Sequence, residues 1–244
     1  MKKVQIKYPT VNRIIKDFFK EEANAMKRAG FIVEPDIEGE VDLILIRDFT
    51  LKHHVNYPIN KNMIQGWNEY KSTLSFSEYI SHIDHHLIPT EMIHTLDEST
   101  IIKIMKKRNW DKVFIKSNNT SLFFLGYEAS VYPTTPIIWM AKEYKKIKED
   151  GPFAIRKFID DPEIFYNEQR YWILNGNAYH PSGIIPDFVR ENGKKIYEFS
   201  GSHYFTMDVA GNYIVEINPG ESSDRGGDNP LDWFCDIFAK EFLY

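Results

Sequence analysis

The hydrophobic and polar residues of the first fifty positions alternate between strand and helix periodicity. Residues 4–8 have a strand pattern, and residues 11–29 space their apolar side chains as an amphipathic helix does, with Gly30 as its C-cap. Strand patterns return at 31–33 and 41–46, and the second is apolar enough for a central strand. This order of elements predicts a small α/β unit.

Helix and strand patterns alternate again in the middle of the chain. Asp97 begins a helical pattern with the polar sequence of a helix N-terminus, and the strand 113–116 that follows ends in Lys116. A second helix is predicted at 136–149 and a further strand at 153–159.

Two hairpins and a final helix are predicted in the last third. Asn175-Gly176 separates two strand patterns within 168–180, and Gly211-Asn212 separates two more within 204–218. Turn residues between runs rich in β-branched and aromatic residues are the usual hairpin signal. Residues 229–244 then form an amphipathic helix that begins with Asn-Pro.

Three polar residues interrupt the second hairpin. Glu216 and Asn218 are two positions apart on one strand, so their side chains share a face, and Asp208 lies on the partner strand. A hairpin through the Gly211 turn can bring Asp208 opposite Glu216. Hard oxygen ligands on a rigid sheet are what Mg²⁺ requires, so the pattern predicts a magnesium site.

Composition excludes several classes of protein. The 244 residues are 43% hydrophobic and 27% charged, which is typical of a globular protein, and the net charge of −5 disfavours binding to nucleic acid. The single cysteine, Cys235, excludes an internal disulfide and a cysteine-based zinc site. Neither an apolar run long enough for a membrane span nor a signal-peptide pattern is found, so we expect a cytoplasmic protein without membrane contact.

Histidines are concentrated between residues 51 and 88, at positions 53, 54, 82, 85 and 86. Asp84-His85-His86 invites a metal interpretation, but none of the spacings is a recognised zinc pattern. A polar loop or helix face explains them equally well and is the favoured interpretation.

The polar residues of the second half follow a fixed order: Lys116 at a strand end, then Glu168-x-Arg170 before the Asn-Gly hairpin, then Asp208, and then Glu216-Ile-Asn218-Pro-Gly. Neither a G-x-x-x-x-G-K-[ST] nor a G-x-G-x-x-G phosphate loop is present. The series resembles the ATP-grasp superfamily, in particular small bacterial and phage members. The resemblance covers residues 88–244.

The resemblance implies an α/β N-terminal domain at 1–87, followed by an α+β ATP-grasp domain at 88–244. In that domain two subdomains of antiparallel sheets and helices clasp ATP. The lid-like subdomain would be 88–157 and the metal-binding core subdomain 158–244.

The resemblance also assigns roles to the charged residues. Asp208, Glu216 and Asn218 would be the ligands of Mg²⁺, with Mn²⁺ as an alternative ion. Lys116 would contact the α- and β-phosphates of ATP. Arg170 would stabilise the transferred phosphoryl group, so Lys116 and Arg170 are the implied catalytic residues.

The remaining nucleotide contacts would come from the hinge segment and the acidic residue before Arg170: Arg156, Lys157, Phe158, Ile159 and Glu168. The family more often has an acidic or amide residue at the first two hinge positions. Its lid loop is glycine-rich, whereas residues 117–126 here contain one glycine.

The implied activity is a carboxylate–amine (or carboxylate–thiol) ligase. A carboxylate attacks the γ-phosphate of ATP, and an amine then displaces phosphate from the acyl phosphate. The substrates would be small molecules or peptides. The loop after Asn218 leaves the polar face directly, so the candidate substrate residues are Ser222, Ser223, Asp224 and Arg225.

Two alternatives remain open. The same fold could transfer a phosphoryl group to a hydroxyl, as a kinase does, or serve as a non-catalytic nucleotide-binding or interaction module. A homodimer is also left open.

Overall fold

The computed structural model describes residues 2–33, 40–51, 57–83, 85–118, 131–133, 152–159, 161, 164, 167–226 and 229–244. The helix predicted at 136–149, most of the loop that follows Lys116, and His53 and His54 lie outside these residues.

A parallel sheet forms the centre of the N-terminal part. Its elements in chain order are β1 (Val4–Lys7), β2 (Thr10–Val11), β3 (Ile14–Ile15), α1 (Asp17–Arg28), β4 (Leu43–Ile46), α2 (Trp67–Leu74) and α3 (Phe76–Tyr79), with a 3₁₀ turn at Ile80–His82. β1 pairs with β4 in parallel, and parallel bridges through Ile32 and Met63 extend the sheet on both sides. The predicted α/β unit is therefore present.

The predicted start of the first helix was wrong. Residues 10–15 form the β2–β3 hairpin instead, and the helix begins at Asp17. Asn12 and Arg13 at the turn have φ angles of 51° and 65°. Left-handed conformation at both central residues is what a tight hairpin turn requires, and it cannot occur inside a right-handed helix.

An antiparallel sheet forms the middle part. Its elements are β5 (Thr90–Ile93), α4 (Glu98–Arg108), β6 (Lys112–Ser117), β7 (Val131–Pro133) and β8 (Phe153–Lys157), with strand order β5-β8-β6-β7. Asp97 caps α4, accepting a hydrogen bond from the Thr100 amide at 2.9 Å. The helix start predicted there is confirmed.

A second antiparallel sheet forms the C-terminal part. Its elements are β9 (Gln169–Leu174), β10 (Asn177–Tyr179), α5 (Asp187–Ser200), β11 (Tyr204–Ala210), β12 (Tyr213–Pro219), a 3₁₀ turn at Gly220–Ser222 and α6 (Leu231–Phe242), with strand order β10-β9-β11-β12. Both predicted hairpins and the final helix are confirmed. The first hairpin turns at Asn175 and Gly176, with φ angles of 49° and 80°.

The central strand β11 is buried along its whole length, and its two faces pack against different layers. Phe205 and Met207 join a core with residues of α5 and α3. Tyr204, on the opposite face, joins Phe238 of α6 in a core that also contains Val4 of β1. This shared core crosses the predicted boundary at residues 87/88, and the division into domains stays a prediction.

Among the described residues, no helix combines the length and the apolar character that crossing a membrane requires.

A buried arginine ties the N-terminal sheet to the loop after β12. Arg47 follows β4 directly and is fully buried. Its guanidinium pairs with Glu22 of α1 at 2.9 Å and 3.1 Å. It also donates to the carbonyls of Gly220 and Ser223, the latter at 2.7 Å. These bonds hold the loop through its backbone.

A buried glutamate in the same loop makes the second connection. Glu221 is fully buried, and one carboxylate oxygen accepts hydrogen bonds from Tyr57 at 2.9 Å and from Gln65. The other oxygen has no hydrogen-bond partner among the residues that the structure describes. Burial raises the pKa of Glu221 from 4.5 to about 7.

Replacing Arg47 with Met should lower the free energy of unfolding by about 3–5 kcal/mol, because the buried Glu22 carboxylate loses its counter-charge. Urea denaturation measures the loss. The exposed Arg28→Met variant on α1, the helix that carries Glu22, is the control and should change stability by less than about 0.5 kcal/mol. A double Arg47→Met/Glu22→Met variant should recover part of the loss, and the explanation is wrong if it is no more stable than Arg47→Met.

Glu221 should make stability decrease as pH rises. Its pKa in the folded protein lies above the unfolded value, so between about pH 4.5 and 7 the folded state binds more protons than the unfolded state. The free energy of unfolding therefore falls through this window, by on the order of 3 kcal/mol for this group. Glu221→Gln should flatten the dependence in urea denaturation at pH 5, 6, 7 and 8. An unchanged slope would contradict the assignment, and the exposed Glu191→Gln is the matched control.

Candidate functional site

The polar residues of the second hairpin meet on one face of the C-terminal sheet. Asp208 lies directly opposite Glu216 on β12 and directly opposite Arg170 on β9. Asn218 lies two residues beyond Glu216, and its side-chain nitrogen is 3.5 Å from a carboxylate oxygen of Asp208. The antiparallel registers therefore place four polar side chains on three adjacent strands.

Arg170 holds two carboxylates together. Its guanidinium makes two parallel hydrogen bonds of 2.7 Å to Asp208 and a further bond to Asp224 in the loop after β12. Burial alone would lower the pKa of Arg170, but the hydrogen bonds to Asp208 raise it. Glu168 precedes this group in the same cleft, where burial and the nearby Asp208 charge raise the pKa of its carboxyl.

A lysine from the middle sheet reaches this face. Lys116 lies on β6, is 2% exposed, and forms an ion pair with Glu216 on β12. This contact joins the two antiparallel sheets across a cleft. It shows how residues 100 positions apart in the sequence come to share one site.

Glu216 of this ion pair also lines an apolar cavity of about 280 Å³ between the two sheets. All four predicted hinge residues and Glu168 line it. Its remaining walls are mainly apolar and include Ile88, Phe114, Ile164, Tyr213 and Val215. Mainly apolar walls with a few charged groups are the usual character of a small-molecule cavity.

Arg156 fixes the two walls of this cavity to each other. It is 3% exposed, donates to the Val215 carbonyl at 2.6 Å and the Ile214 carbonyl at 3.4 Å, and lies 5.2 Å from the centre of the Phe76 ring. Burial lowers its pKa to about 10, so it remains charged at neutral pH. The guanidinium therefore clamps β8 onto β12.

A second cavity, of about 410 Å³ and mainly polar, lies on the other side of Arg170. Asp208 and Asp224 line it, and so does His180, which sequence reasoning missed. Burial lowers the pKa of His180. Its Nδ1 accepts from the Ser182 amide at 3.3 Å, so the neutral ring carries its proton on Nε2. The only signal in the sequence was its position at the end of a hairpin strand.

The loop after β12 approaches Arg170 closely at a glycine. Gly226 has a φ angle of 88°, and a Cβ there would lie 2.6 Å from the Cβ of Arg170. Any other residue would push the loop away from the cavity. This close approach keeps Asp224 within reach of the guanidinium.

The four candidate substrate residues of this loop divide into two pairs. The Tyr70 hydroxyl donates to the Ser222 hydroxyl at 3.2 Å. The buried Ser223 donates to the Pro219 carbonyl at 2.8 Å. Asp224 and Arg225 instead line cavities.

The donor set of the polar face suits a divalent cation in its chemistry. Asp208 and Glu216 present carboxylate oxygens side by side, and the Asn218 amide can turn its oxygen toward Asp208. No group of three or more histidine, cysteine, aspartate or glutamate residues within the described part of the chain is arranged to hold a metal ion. Two carboxylates and an amide are the donors that the hairpin offers.

Two of the histidines that were considered for metal binding stack on aromatic rings. His82 stacks on Phe199 with ring centres 3.7 Å apart, and His86 stacks on Phe188 at 4.2 Å. His86 also contacts the Asn212 carbonyl at 2.9 Å, which supports the turn of the second hairpin.

The sequence matches no protein-family model. It also matches no curated protein. The fold, by contrast, matches solved structures over nearly the whole chain. D-cycloserine synthetase has a TM-score of 0.62 at 12% identity, covering 97% of this chain and 98% of that one. A macrocyclase from Microcystis aeruginosa, bound with its precursor peptide, has a TM-score of 0.61 at 10% identity, covering 96% and 98%.

A third structure carries the fold's name. A RiPP-associated ATP-grasp ligase from Chryseobacterium gregarium, in complex with ADP and a leader and core peptide, has a TM-score of 0.59 at 11% identity, covering 100% of this chain and 94% of that one. These likenesses cover nearly the whole chain, including both four-stranded antiparallel sheets. This chain has the fold of the ATP-grasp superfamily.

Proposed function

We propose that this protein is an ATP- and Mg²⁺-dependent ligase that joins a carboxylate to an amine through an acyl phosphate. The observation that carries the proposal is the pairing of cations and carboxylates in one cleft. Lys116 pairs with Glu216 across the two sheets, and Arg170 pairs with Asp208 beside them. An apolar cavity adjoins the first pair and a polar cavity the second.

The apolar cavity would hold the adenine ring. Phe158, Tyr213 and Val215 supply apolar walls, and the hinge Arg156–Ile159 runs along the edge of the cavity, where its backbone can read the base. The triphosphate would then extend from this cavity toward Lys116 and Arg170, whose positive charges suit phosphate oxygens.

Asp208, Glu216 and Asn218 would hold Mg²⁺, with Mn²⁺ as an alternative ion. Their hard oxygens lie on neighbouring strands, which fits either cation. A bound divalent ion would neutralise charge on the phosphates during transfer.

The reaction would proceed in two displacements. A substrate carboxylate oxygen attacks the γ-phosphorus of ATP, the bond from that phosphorus to the β–γ bridging oxygen breaks, and ADP leaves. The amine nitrogen then attacks the acyl carbon, the bond from that carbon to the phosphate oxygen breaks, phosphate leaves, and the nitrogen loses a proton. Arg170 would stabilise the charge on the transferred group, and Lys116 would position the α- and β-phosphates.

Two of the matched structures support peptide or small-molecule substrates. One is a synthetase of a small molecule, D-cycloserine, and another is a ligase in complex with ADP and a peptide. The polar cavity around Arg170 and Asp224 has a volume of about 410 Å³, which leaves room for the carboxylate-bearing part of such a substrate.

Titration calorimetry with ATP, with and without Mg²⁺, tests the nucleotide site. Lys116→Met should weaken ATP binding at least tenfold, because a phosphate loses its cation. Asp208→Asn and Glu216→Gln should abolish most of the gain that Mg²⁺ brings. Lys194→Met, an exposed lysine on α5, is the control and should bind as the wild type does. Absence of Mg²⁺-dependent ATP binding in the wild type would refute the proposal.

Product analysis distinguishes the reaction classes. Incubation with ATP, Mg²⁺ and pooled carboxylates and amines should release ADP and phosphate and form an amide. A phosphorylated product would instead indicate a kinase, and nucleotide binding without any product would indicate a non-catalytic module. The Arg170→Met variant should keep ATP binding but lose ADP release.

A further inference from the structure

A third cavity adjoins the cleft on the side of the N-terminal part. It has a volume of about 410 Å³ and lies between the start of α1 and the loop after β12. Asp224 and Gly226 line both this cavity and the one beside Arg170. A ligand in it would therefore adjoin the groups at which the proposed acyl phosphate forms.

One wall of this cavity is aromatic and open to solvent. Phe18 is 72% exposed, and its ring meets that of Phe49 edge to face at 4.9 Å between centres. A large apolar side chain left in water beside a cavity is a binding feature, because a ligand that covers it removes apolar surface from water.

Two opposite charges line this cavity without a counter-charge among the residues that the structure describes. Glu22 is neutralised by Arg47, and Asp224 by Arg170. Glu21 and Arg225 also line the cavity. Within the described part of the chain, neither makes an ion pair. The cavity thus offers one carboxylate and one guanidinium to the same ligand.

From these features we propose that this cavity binds the amine substrate, and that this substrate is a free α-amino acid with an apolar side chain. Its ammonium group matches Glu21, its carboxylate matches Arg225, and its side chain covers Phe18 and Phe49. The assignment of the amino acid as the acceptor rests on the proposed ligase function. Binding of the amino acid in this cavity does not depend on that function.

Calorimetric titration with both enantiomers of phenylalanine and leucine tests the inference, with and without saturating Mg²⁺ and ADP. At least one of the four should bind, and the affinity should fall at least tenfold in Glu21→Gln and in Arg225→Met, because each removes one charge partner. Glycine, titrated in parallel, has no side chain to cover Phe18, so Phe18→Ala should weaken phenylalanine more than glycine. Glu191→Gln on α5 is the matched control and should leave every affinity unchanged.

Two analogues assign each charge to its partner. Phenylalaninamide has the ammonium group but no carboxylate, so its affinity should respond to Glu21→Gln and not to Arg225→Met. The analogue 3-phenylpropanoate has the carboxylate alone and should show the reverse.

Different experimental results would overturn this inference and the ligase proposal. If Mg²⁺ and ADP bind but none of the four amino acids does at millimolar concentration, the inference is overturned and the nucleotide site stands. The inference is also overturned if phenylalaninamide binds as tightly as phenylalanine and Arg225→Met has no effect, which would point to a peptide or simple amine. Amino-acid binding without any nucleotide binding would overturn the ligase proposal alone.

Discussion

The buried guanidinium of Arg47 is the interaction on which the arrangement of the cleft depends. It follows the last parallel strand, pairs with Glu22 of the first helix, and donates to two backbone carbonyls of the loop after β12. A fully buried charge is stable only when its partners are fixed. The loop is thereby held at the point where it leaves Asn218, and Asp224 is held near Arg170.

The charged side chains of the cleft pair with one another when no ligand is bound. The carboxylates of Asp208 and Glu216 have cationic partners in Arg170 and Lys116, and Lys116 is 2% exposed. A nucleotide with a divalent cation carries the same two kinds of charge. In the proposed complex with ATP and Mg²⁺, phosphate oxygens would take the place of the carboxylates beside Lys116 and Arg170, and Asp208 and Glu216 would hold the metal ion. Such an exchange avoids leaving a buried charge without a partner, which would be costly in a site of low dielectric constant.

Local sequence patterns predicted the elements whose conformation depends on neighbouring residues. The Asn175-Gly176 turn, the Asp97 cap and the alternation through Asp208 and Glu216 each follow from backbone conformation or strand periodicity. The β2–β3 hairpin was missed because the apolar residues of 11–29 all fit the spacing of a single helix. The left-handed φ angles at Asn12 and Arg13 do not change that spacing. Helix α5 was not predicted. Arg47 acts through contacts between distant segments, and His180 lines a cavity together with residues of other strands and loops; no local pattern contains either fact.

The two halves of the loop after β12 have different surroundings: the first half is buried, and the second lines cavities. The first half is held in the protein interior by hydrogen bonds. Arg47 donates to the Gly220 carbonyl, and Tyr57 and Gln65 donate to the Glu221 carboxylate. The Ser223 hydroxyl donates to the Pro219 carbonyl. The second half, Asp224 to Gly226, lines the cavities. Because the first half fixes the backbone, side chains at positions 224 and 225 can change without loss of the anchor. If the cleft binds a substrate as proposed, changes at these two positions would therefore alter which substrate binds before they alter the fold.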